Sequence, residues 1–534
     1  MTNSINDIPQ AEVILVIGSN TTEAHPVIAL QMKAAVRKHG AKLILIDPRQ
    51  IELSQFASLH LRQKAGSDVA ILNAMAQVII AEGLTNQQFI ANRTENYEAL
   101  AAAVADWTPE RAEAISGVPA GDIRATARLY ATAKSAAIFW AMGITQHTHG
   151  TDNVKALSNL ALLTGQIGRP GTGLNPLRGQ NNVQGACDMG GLPNVLPGYQ
   201  PVTDEAARRK FGTAWGATLP GKAGLTVTEI VHGAAEGKIK AIYVMGENPM
   251  LSDPNLHHAR YALSQVEFLV VQDIFMNETA EMADIVLPAV SFAEKSGTFT
   301  NTERRVQLIR PALPPTGESR PDWAILTDLA NRLGANWDYK DPAAVLDEMA
   351  TLTPSYGGIS HARLEQGGLQ WPCPTPTHSG TPILHSQQFT RGKGLFCPVD
   401  YRPPAEETDN QYPFVLSTGR ILFHWHGGTM SRRSPGLEAI APVAEVEINP
   451  ADARQLGLGN GDLAQVASRR GQVIATVKTT KRSPAGMLFM TFHYAEAATN
   501  LLTIDAVDPT AKIPEYKVCA VNIQRINGSN AHST

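Results

Sequence analysis

The sequence predicts an α/β protein that ends in a small β-barrel, and three patterns predict it. A strand–glycine–x–asparagine unit occurs twice, each time followed by a helix-length stretch and a second strand ending in a carboxylate. Proline-rich segments then break the periodicity, and from about Glu406 short β-branched runs alternate with glycine turns.

Glu12 to Ile17 is a short apolar run that stops at Gly18-Ser19-Asn20. Its length and β-branching favour a buried parallel strand over a helix. After the turn, Val27, Leu30 and Ala34 fall on one helical face, and Gly40 supplies the stop. Lys42 to Ile46 reads as the next strand and ends at Asp47-Pro48-Arg49, where a carboxylate can accept hydrogen bonds from a ribose or a base. Ser67 or Asp68 is placed to cap a helix from Val69 to about Glu82. The second unit runs from Ala241 to Met245, turns at Gly246-Glu247-Asn248 and resumes from Phe268 to Val271, leading into Gln272-Asp273. The spacing from Gly18 to Asp47 nearly equals that from Gly246 to Asp273, which suggests two nucleotide-binding halves on two Rossmann-like α/β domains. Two generic α/β sheets would carry the same pattern. A nicotinamide site is a further alternative, but neither turn has the G-x-G-x-x-G form.

Between about Glu294 and Asp400 the pattern is that of an irregular connector, with prolines at Pro311 to Pro315 and in Trp371-Pro372-Cys373-Pro374. Inside it, Ser296 to Arg305 is a dense polar–glycine stretch whose charges serve either structural salt bridges or a substrate. Short strands at Glu445–Ile448, Leu463–Ser468 and Val473–Val477, separated by turns at Gly457 to Asp462 and at Arg470-Gly471, predict the barrel. The expected domains are 1–180, 181–292, 293–405 and 406–534, with the small polar residues from Asn527 onward frayed.

A chain of 534 residues with 43% hydrophobic content can bury several cores. A net charge of −4 gives no sign of a nucleic-acid partner. Met1 to Asn6 has neither a charged n-region nor an apolar h-region, and no apolar stretch approaches the length of a membrane span, so a cytoplasmic protein is expected. Cys187, Cys373, Cys397 and Cys519 are scattered without a C-x-x-C, which suits isolated thiols rather than an iron–sulfur cluster or a disulfide framework.

The most informative stretch is Arg178 to Gly190, which crowds a guanidinium, amide and carboxylate side chains and glycines into one run that no helix or strand core would tolerate. Glycines admit a ligand close to the backbone, Asn and Gln offer donors and acceptors, and Arg178 is placed as an anion clamp. Arg420 to His426 contains an H-x-H pair, which on an alternating strand would share a face. A metal would need further ligands, and the flanks offer glycines and hydroxyls.

The run RGQNNVQGACDMG closely resembles the active-site segment of the catalytic (alpha) subunits of molybdenum- and tungsten-dependent formate dehydrogenases, in the molybdopterin oxidoreductase superfamily. The resemblance extends from the Gly18-Ser19-Asn20 turn to Glu515-Tyr516-Lys517. It implies two Rossmann-like domains in pseudo-twofold relation and a six-stranded, double-psi type barrel. It also implies a molybdenum or tungsten bis(molybdopterin guanine dinucleotide) cofactor, which would account for the duplicated unit. Formate would be oxidised reversibly to carbon dioxide, with Arg178 as the catalytic clamp and Gly179 and Gln180 beside it in the cofactor wall. The resemblance places Asn20, Glu23, Asp47, Arg49, Gly66 and Asp68 on the first dinucleotide, although Ser19 to Glu23 departs from the commoner Asn-Pro-Ala-Asp form. Asn248, Ser252, Gln272, Asp322, Tyr516 and Lys517 match the second, Met142, Gly143 and Gln146 are further contacts, and Arg420, His424 and His426 sit where the family meets the second pterin and its phosphates. His147 and His149 read as structural.

In this family a four-cysteine cluster domain, then a cysteine or selenocysteine metal ligand and a histidine, precede the position matching Met1. No metal ligand is therefore expected in this chain, the 4Fe-4S cluster is expected only in full-length members, and Cys187 stands where the family has an ordinary cysteine. The expectation is a portion that follows a selenocysteine codon read as stop, with a split gene or a deliberate truncation as the alternatives, and inactive on its own. An in-frame TGA upstream, followed by a histidine codon, would support that. Expected partners are formate or carbon dioxide, the missing N-terminal segment, and iron–sulfur or flavin electron-transfer subunits. The competing readings are a non-catalytic pterin-fold scaffold and another bis-pterin oxidoreductase such as a nitrate reductase; retention of Arg178 and QNNVQG argues against both.

Overall fold

Val13–Ile17 (β1) is buried along its whole length, as a central parallel strand must be. Its alternate residues feed two cores: Val13, Leu15 and Ile17 enter one, Ile14 and Val16 the other. The strand is part of a computed structural model that describes residues 1–526 and divides into two compact units. The first unit comprises Met1–Leu177, Leu251–His257 and the chain from Ile383; the second comprises Arg178–Met250 and His258–Pro382.

In the first unit, Pro26–His39 (α1) starts with a proline and ends at Gly40, whose φ of 75° is the left-handed cap expected there. Its buried face is not the expected one. Val27 and Leu30 are 69% and 61% exposed, whereas Ile28, Met32 and Ala35 pack on Ile14, Val16, Leu43 and Leu45. Apolar residues cover a broad arc of this helix, and the stripe offering the bulkier Ile28–Met32 pair at i, i+4 takes the sheet. Lys42–Ile46 (β2) and Ala57–Leu61 (β3) follow, then Asp68–Ala81 (α2). Ser67 occupies the cap position of α2, but its hydroxyl donates to the Lys64 carbonyl instead of capping the helix. Ala136–Trp140 (β4), Gly150–Thr164 (α3) and Gly173–Pro176 (β5) complete an all-parallel sheet of order β3-β2-β1-β4-β5. The chain works outward from β1 on one side and resumes at β4 on the other, so the carboxyl ends of β1 and β4 flank the crevice where such sheets bind ligands.

The second unit carries the short helix Val183–Asp188 (α4), the capping-box helix Val227–Ala235 (α5) and a parallel sheet of Ala241–Met245 (β6), Phe268–Asp273 (β7) and Ile285–Pro288 (β8), in the order β8-β7-β6. The connector is more regular than its prolines suggest. It folds an antiparallel hairpin, Gly297–Thr300 (β9) with Arg305–Ile309 (β10), and the helices Asp322–Arg332 (α6) and Pro342–Leu352 (α7), the latter opening on Pro342 where a missing N–H costs nothing. The charges of Ser296 to Arg305 are structural here: Arg305 pairs with Glu303 at 2.8 Å, and Arg304 donates to the carbonyls of Trp371, Thr381 and Pro382.

Back in the first unit, Phe414–Gly419 (β11), Glu445–Ile448 (β12), Leu463–Ala467 (β13), Gln472–Thr479 (β14), Met487–Thr491 (β15) and Cys519–Arg525 (β16) close a six-stranded barrel of order β11-β15-β12-β14-β13-β16. Inward-facing Leu416, Val446, Ala464, Val466, Val477 and Leu488 fill it. The residues from Asn527 onward lie outside those described. All four cysteines are free thiols, Cys373 and Cys519 buried, Cys187 and Cys397 partly so. No described helix is long and apolar enough to cross a membrane.

Candidate functional site

The carboxyl ends of the first unit's strands carry most of the expected nucleotide contacts. Gly18 closes β1 at φ +55°, and Gly143 follows β4 and donates to the Gly18 carbonyl at 3.0 Å. A Cβ on Gly18 would lie 2.7 Å from Gly143 C, and one on Gly143 would lie 2.5 Å from Gly18 O. The two turns therefore meet backbone to backbone at the mouth of the crevice, and no larger residue fits.

At the end of β2, Asp47 accepts from the Arg49 amide at 2.9 Å. Burial pushes its carboxyl up to about 6 against the opposing pull of Arg49. Beyond β3, Gly66 turns at φ +83°, and Asp68 accepts from Gln63 Nε2 at 3.0 Å, its carboxyl also raised by burial. Arg49 pairs with Glu447 at 2.7 Å and stacks 3.3 Å over the Phe489 ring. Glu23 accepts from Arg482 at 2.7 Å. Tyr516 donates to the Ser252 carbonyl at 3.0 Å, and Lys517 donates to the Thr418 carbonyl at 2.6 Å. Burial, then repulsion from Arg420, brings the Lys517 ammonium down to about 7, and burial brings Arg420, which lies over Trp425, to about 10.

This unit thus gathers Arg49, Arg420 and Asp47 within electrostatic reach of Lys517, in surroundings that disfavour the charges of Lys517 and Arg420. Among the buried side-chain atoms of the described residues without a hydrogen-bond partner, four belong to this group of residues: Asn20 Nδ2, Glu23 Oε2, Arg49 Nε and Gln63 Oε1. An orphaned buried polar atom costs about 1–3 kcal/mol. Two donors, two acceptors and a surplus of desolvated cations fit an anionic dinucleotide bearing a hydrogen-bonding base. Nothing local in the sequence marks Gln63, Glu447, Arg482 and Phe489.

A consequence is measurable in the cofactor-free chain. The unfolded Lys517 keeps its proton to about 10.4. The folded state releases it near 7, so the unfolded state binds more protons across that window. Stability should rise with pH from about 7 to 10, with a slope of up to ~1.4 kcal/mol per pH unit from this group. Denaturant unfolding of Lys517→Met across that window should show the slope reduced by this amount. An unchanged slope would place the Lys517 titration elsewhere.

Met142 and Gln146 flank Gly143, with Met142 opening the short helix Met142–Thr145. His147 bonds Glu515 at 2.7 Å and the Gly143 carbonyl at 2.9 Å, and His149 stacks on it with both ring nitrogens buried and without a hydrogen-bond partner among the described residues. The H-x-H pair does not lie on a strand, since β11 stops at Gly419 and His426 sits at φ +45° in the turn beyond. The two rings go to different neighbours. His424 is buried on Ser431 and the Ala441 carbonyl, and His426 packs edge-on to Phe492, where burial lowers its pKa to about 4.

In the second unit, Gln272 donates to Asp322 at 2.8 Å and accepts from Tyr243 at 2.5 Å, and Asp322 pairs with Lys295 at 2.5 Å. Asn248 bonds Glu278 at 2.7 Å and Thr279 at 2.8 Å. Gly246 repeats the left-handed turn at φ +64°, yet a Cβ there would meet no described atom within 4 Å; only its backbone conformation asks for glycine. Ahead of α4, half-buried Arg178 donates its amide to Thr302 Oγ1 at 3.2 Å and its Nε to Gln184 Oε1 at 3.0 Å. Asn182 takes φ +59° and accepts from the Thr300 amide at 2.9 Å. Gly179 is buried and Gln180 half-buried in the same turn.

Residues 1–332 match the molybdopterin oxidoreductase family and residues 414–520 the molybdopterin dinucleotide binding domain. The chain is 50% identical over 530 residues to the F420-dependent formate dehydrogenase subunit alpha of Methanocaldococcus jannaschii, covering 98% of itself and 78% of that protein. It is 40% identical to formate dehydrogenase H of Escherichia coli, covering 99% of itself and 75% of that protein. Among solved structures, acetylene hydratase from Pelobacter acetylenicus shares the fold at a TM-score of 0.75 and 20% identity, over 98% of this chain and 79% of that one. The chain belongs to the molybdopterin oxidoreductase family, among the formate dehydrogenase alpha subunits.

Proposed function

We propose that this chain is the pterin-binding and substrate-binding part of a formate dehydrogenase alpha subunit, the enzyme that oxidises formate to carbon dioxide, reversibly. The observation that carries the reading is Arg178, a guanidinium oriented by a buried side chain in a glycine-rich polar turn. A planar fork holds a planar carboxylate through two parallel hydrogen bonds, neutralises it and fixes the direction of its C–H bond. That is orientation and electrostatic stabilisation supplied by the protein.

The first unit's Asn20, Glu23, Asp47, Arg49, Gly66 and Asp68 would hold one guanine dinucleotide, with Met142, Gly143 and Gln146 beside it. In that unit Ser252, Tyr516, Lys517, Arg420 and His426 would offer further cofactor contacts, and in the second unit Asn248, Gln272 and Asp322 would. His424 would stand beside His426 in this set, and Gly179 and Gln180 would line the cofactor wall next to the clamp. When bound, a molybdenum or tungsten bis-pterin group supplies a two-electron acceptor. Electrons would pass on to iron–sulfur or flavin subunits, in keeping with relatives that are themselves named as alpha subunits.

The test is made on purified holoenzyme. It should reduce an electron-accepting dye with formate, contain molybdenum or tungsten, and release two guanine nucleotides per metal after mild acid hydrolysis. One nucleotide per metal, or an adenine dinucleotide, would defeat the duplicated-site argument. A metal-free protein without formate turnover would make it a scaffold, and turnover of nitrate in place of formate would move it to another branch.

A further inference from the structure

The aim of Arg178 is set by a run of hydrogen bonds whose direction is not reversible. Arg178 Nε donates to Gln184 Oε1 at 3.0 Å, and Gln184 Nε2 donates to Asp188 Oδ1 and to the Tyr199 hydroxyl, both at 2.8 Å. Asp188 Oδ2 accepts from the Tyr356 hydroxyl at 2.5 Å and from Trp371 Nε1 at 2.7 Å. Gln184 is 3% exposed and Asp188 1%. The two stand one turn apart on α4 and so share a face.

An ionised carboxylate only accepts, whereas a glutamine amide has one donating and one accepting end. Asp188 therefore obliges Gln184 to turn its NH2 inward, and the carbonyl end is left facing Arg178 Nε, which only donates. Burial raises the Asp188 carboxyl, and its hydrogen bonds from Tyr356, Gln184, Tyr199 and Trp371 oppose that rise. With an asparagine at 188, the amide nitrogen could take the Gln184 side. Gln184 would then flip and set its own NH2 against the guanidinium, donor to donor.

We propose that Gln184 and Asp188 are positioning residues for the substrate: they fix the plane and rotation of the Arg178 guanidinium that receives the carboxylate. The assignment rests on Arg178 being the formate clamp. It goes further by stating how the clamp is aimed, and it gives the second half of the Arg178–Asp188 run a task that a polar loop would not need.

The experiment is a double-mutant cycle on metal-loaded enzyme, with kcat, KM for formate and metal content measured for each variant. Gln184→Met keeps length and removes all three side-chain hydrogen bonds, and should lower kcat/KM roughly 10- to 100-fold at unchanged metal content. In an Arg178→Ala background the same change should cost less than about threefold, because a residue acting through Arg178 has nothing left to act on. Asp188→Asn keeps volume and should reproduce both results. Equal fold-losses in the two backgrounds, or losses that follow metal content, would overturn the assignment and leave Gln184 and Asp188 as supports of the fold. If the unsubstituted holoenzyme does not oxidise formate, the functional reading itself fails, an outcome visible before any variant is made.

Discussion

Replacing Arg178 with alanine is expected to lower kcat/KM for formate by roughly 30- to 1000-fold while metal and nucleotide content stay at the unsubstituted level. The range corresponds to the 2–4 kcal/mol typical of losing one partner of a desolvated, hydrogen-bonded charge pair. Arg178→Lys should recover only a small part of the loss, since an ammonium is a point charge and cannot match both oxygens of a planar carboxylate. The clamp lies in a turn shaped by Asn182 at φ +59° and by the Asn182–Thr300 bond, neither of which needs the guanidinium, so folding and loading should survive. Near-normal formate kinetics in the alanine variant at full metal occupancy would remove Arg178 from the mechanism.

Gly18→Ala is expected to have the largest effect on stability. A Cβ at φ +55° costs about 1–2 kcal/mol for the left-handed backbone. Its overlap with Gly143 C at 2.7 Å adds about 1–3 kcal/mol of overpacking. The total, about 2–5 kcal/mol, is comparable with much of a domain's net stability. Gly246→Ala is the internal control, because that residue shares the left-handed φ but a Cβ there meets no described neighbour. It should cost only the backbone share, about 1–2 kcal/mol. Denaturation midpoints of the two variants decide the matter. Equal shifts would mean that the crevice relaxes around an added methyl, and the close approach of the two turns would lose its structural meaning.

The strands that were legible in the sequence are those whose burial leaves a continuous apolar run. Val13–Ile17, Lys42–Ile46 and Ala241–Met245 were found to within a residue for that reason. Ala57–Leu61 is only half-buried and contains a histidine, and Gly173–Pro176 is a four-residue edge strand holding a glycine and a proline; neither shows a period. The face of α1 was misread because a broad apolar arc contains two acceptable stripes, and only packing against Ile14 and Leu43 chooses Ile28–Met32–Ala35. On a strand the H-x-H pair would share a face, and nothing local says whether the strand reaches it; the strand stops at Gly419.

What the sequence by itself determined is local and chemical. The glycines that end β1 and β6, the carboxylate after β2, the cationic Arg178 in its amide-rich turn and the closely spaced barrel strands are each written in a few adjacent residues, because backbone conformation, hydrogen-bonding capacity and period are short-range properties. Only the tertiary structure decided what holds those residues in place. Arg49 finds Glu447 across 398 positions, and Glu23 finds Arg482 across 459. The barrel belongs to the same compact unit as the first sheet, although the second unit is inserted in sequence between them. Contacts of that kind leave no local trace: a charge at either end is compatible with a solvated surface, and only a fold that brings the ends together, burying both in the Arg49–Glu447 pair, requires them to meet.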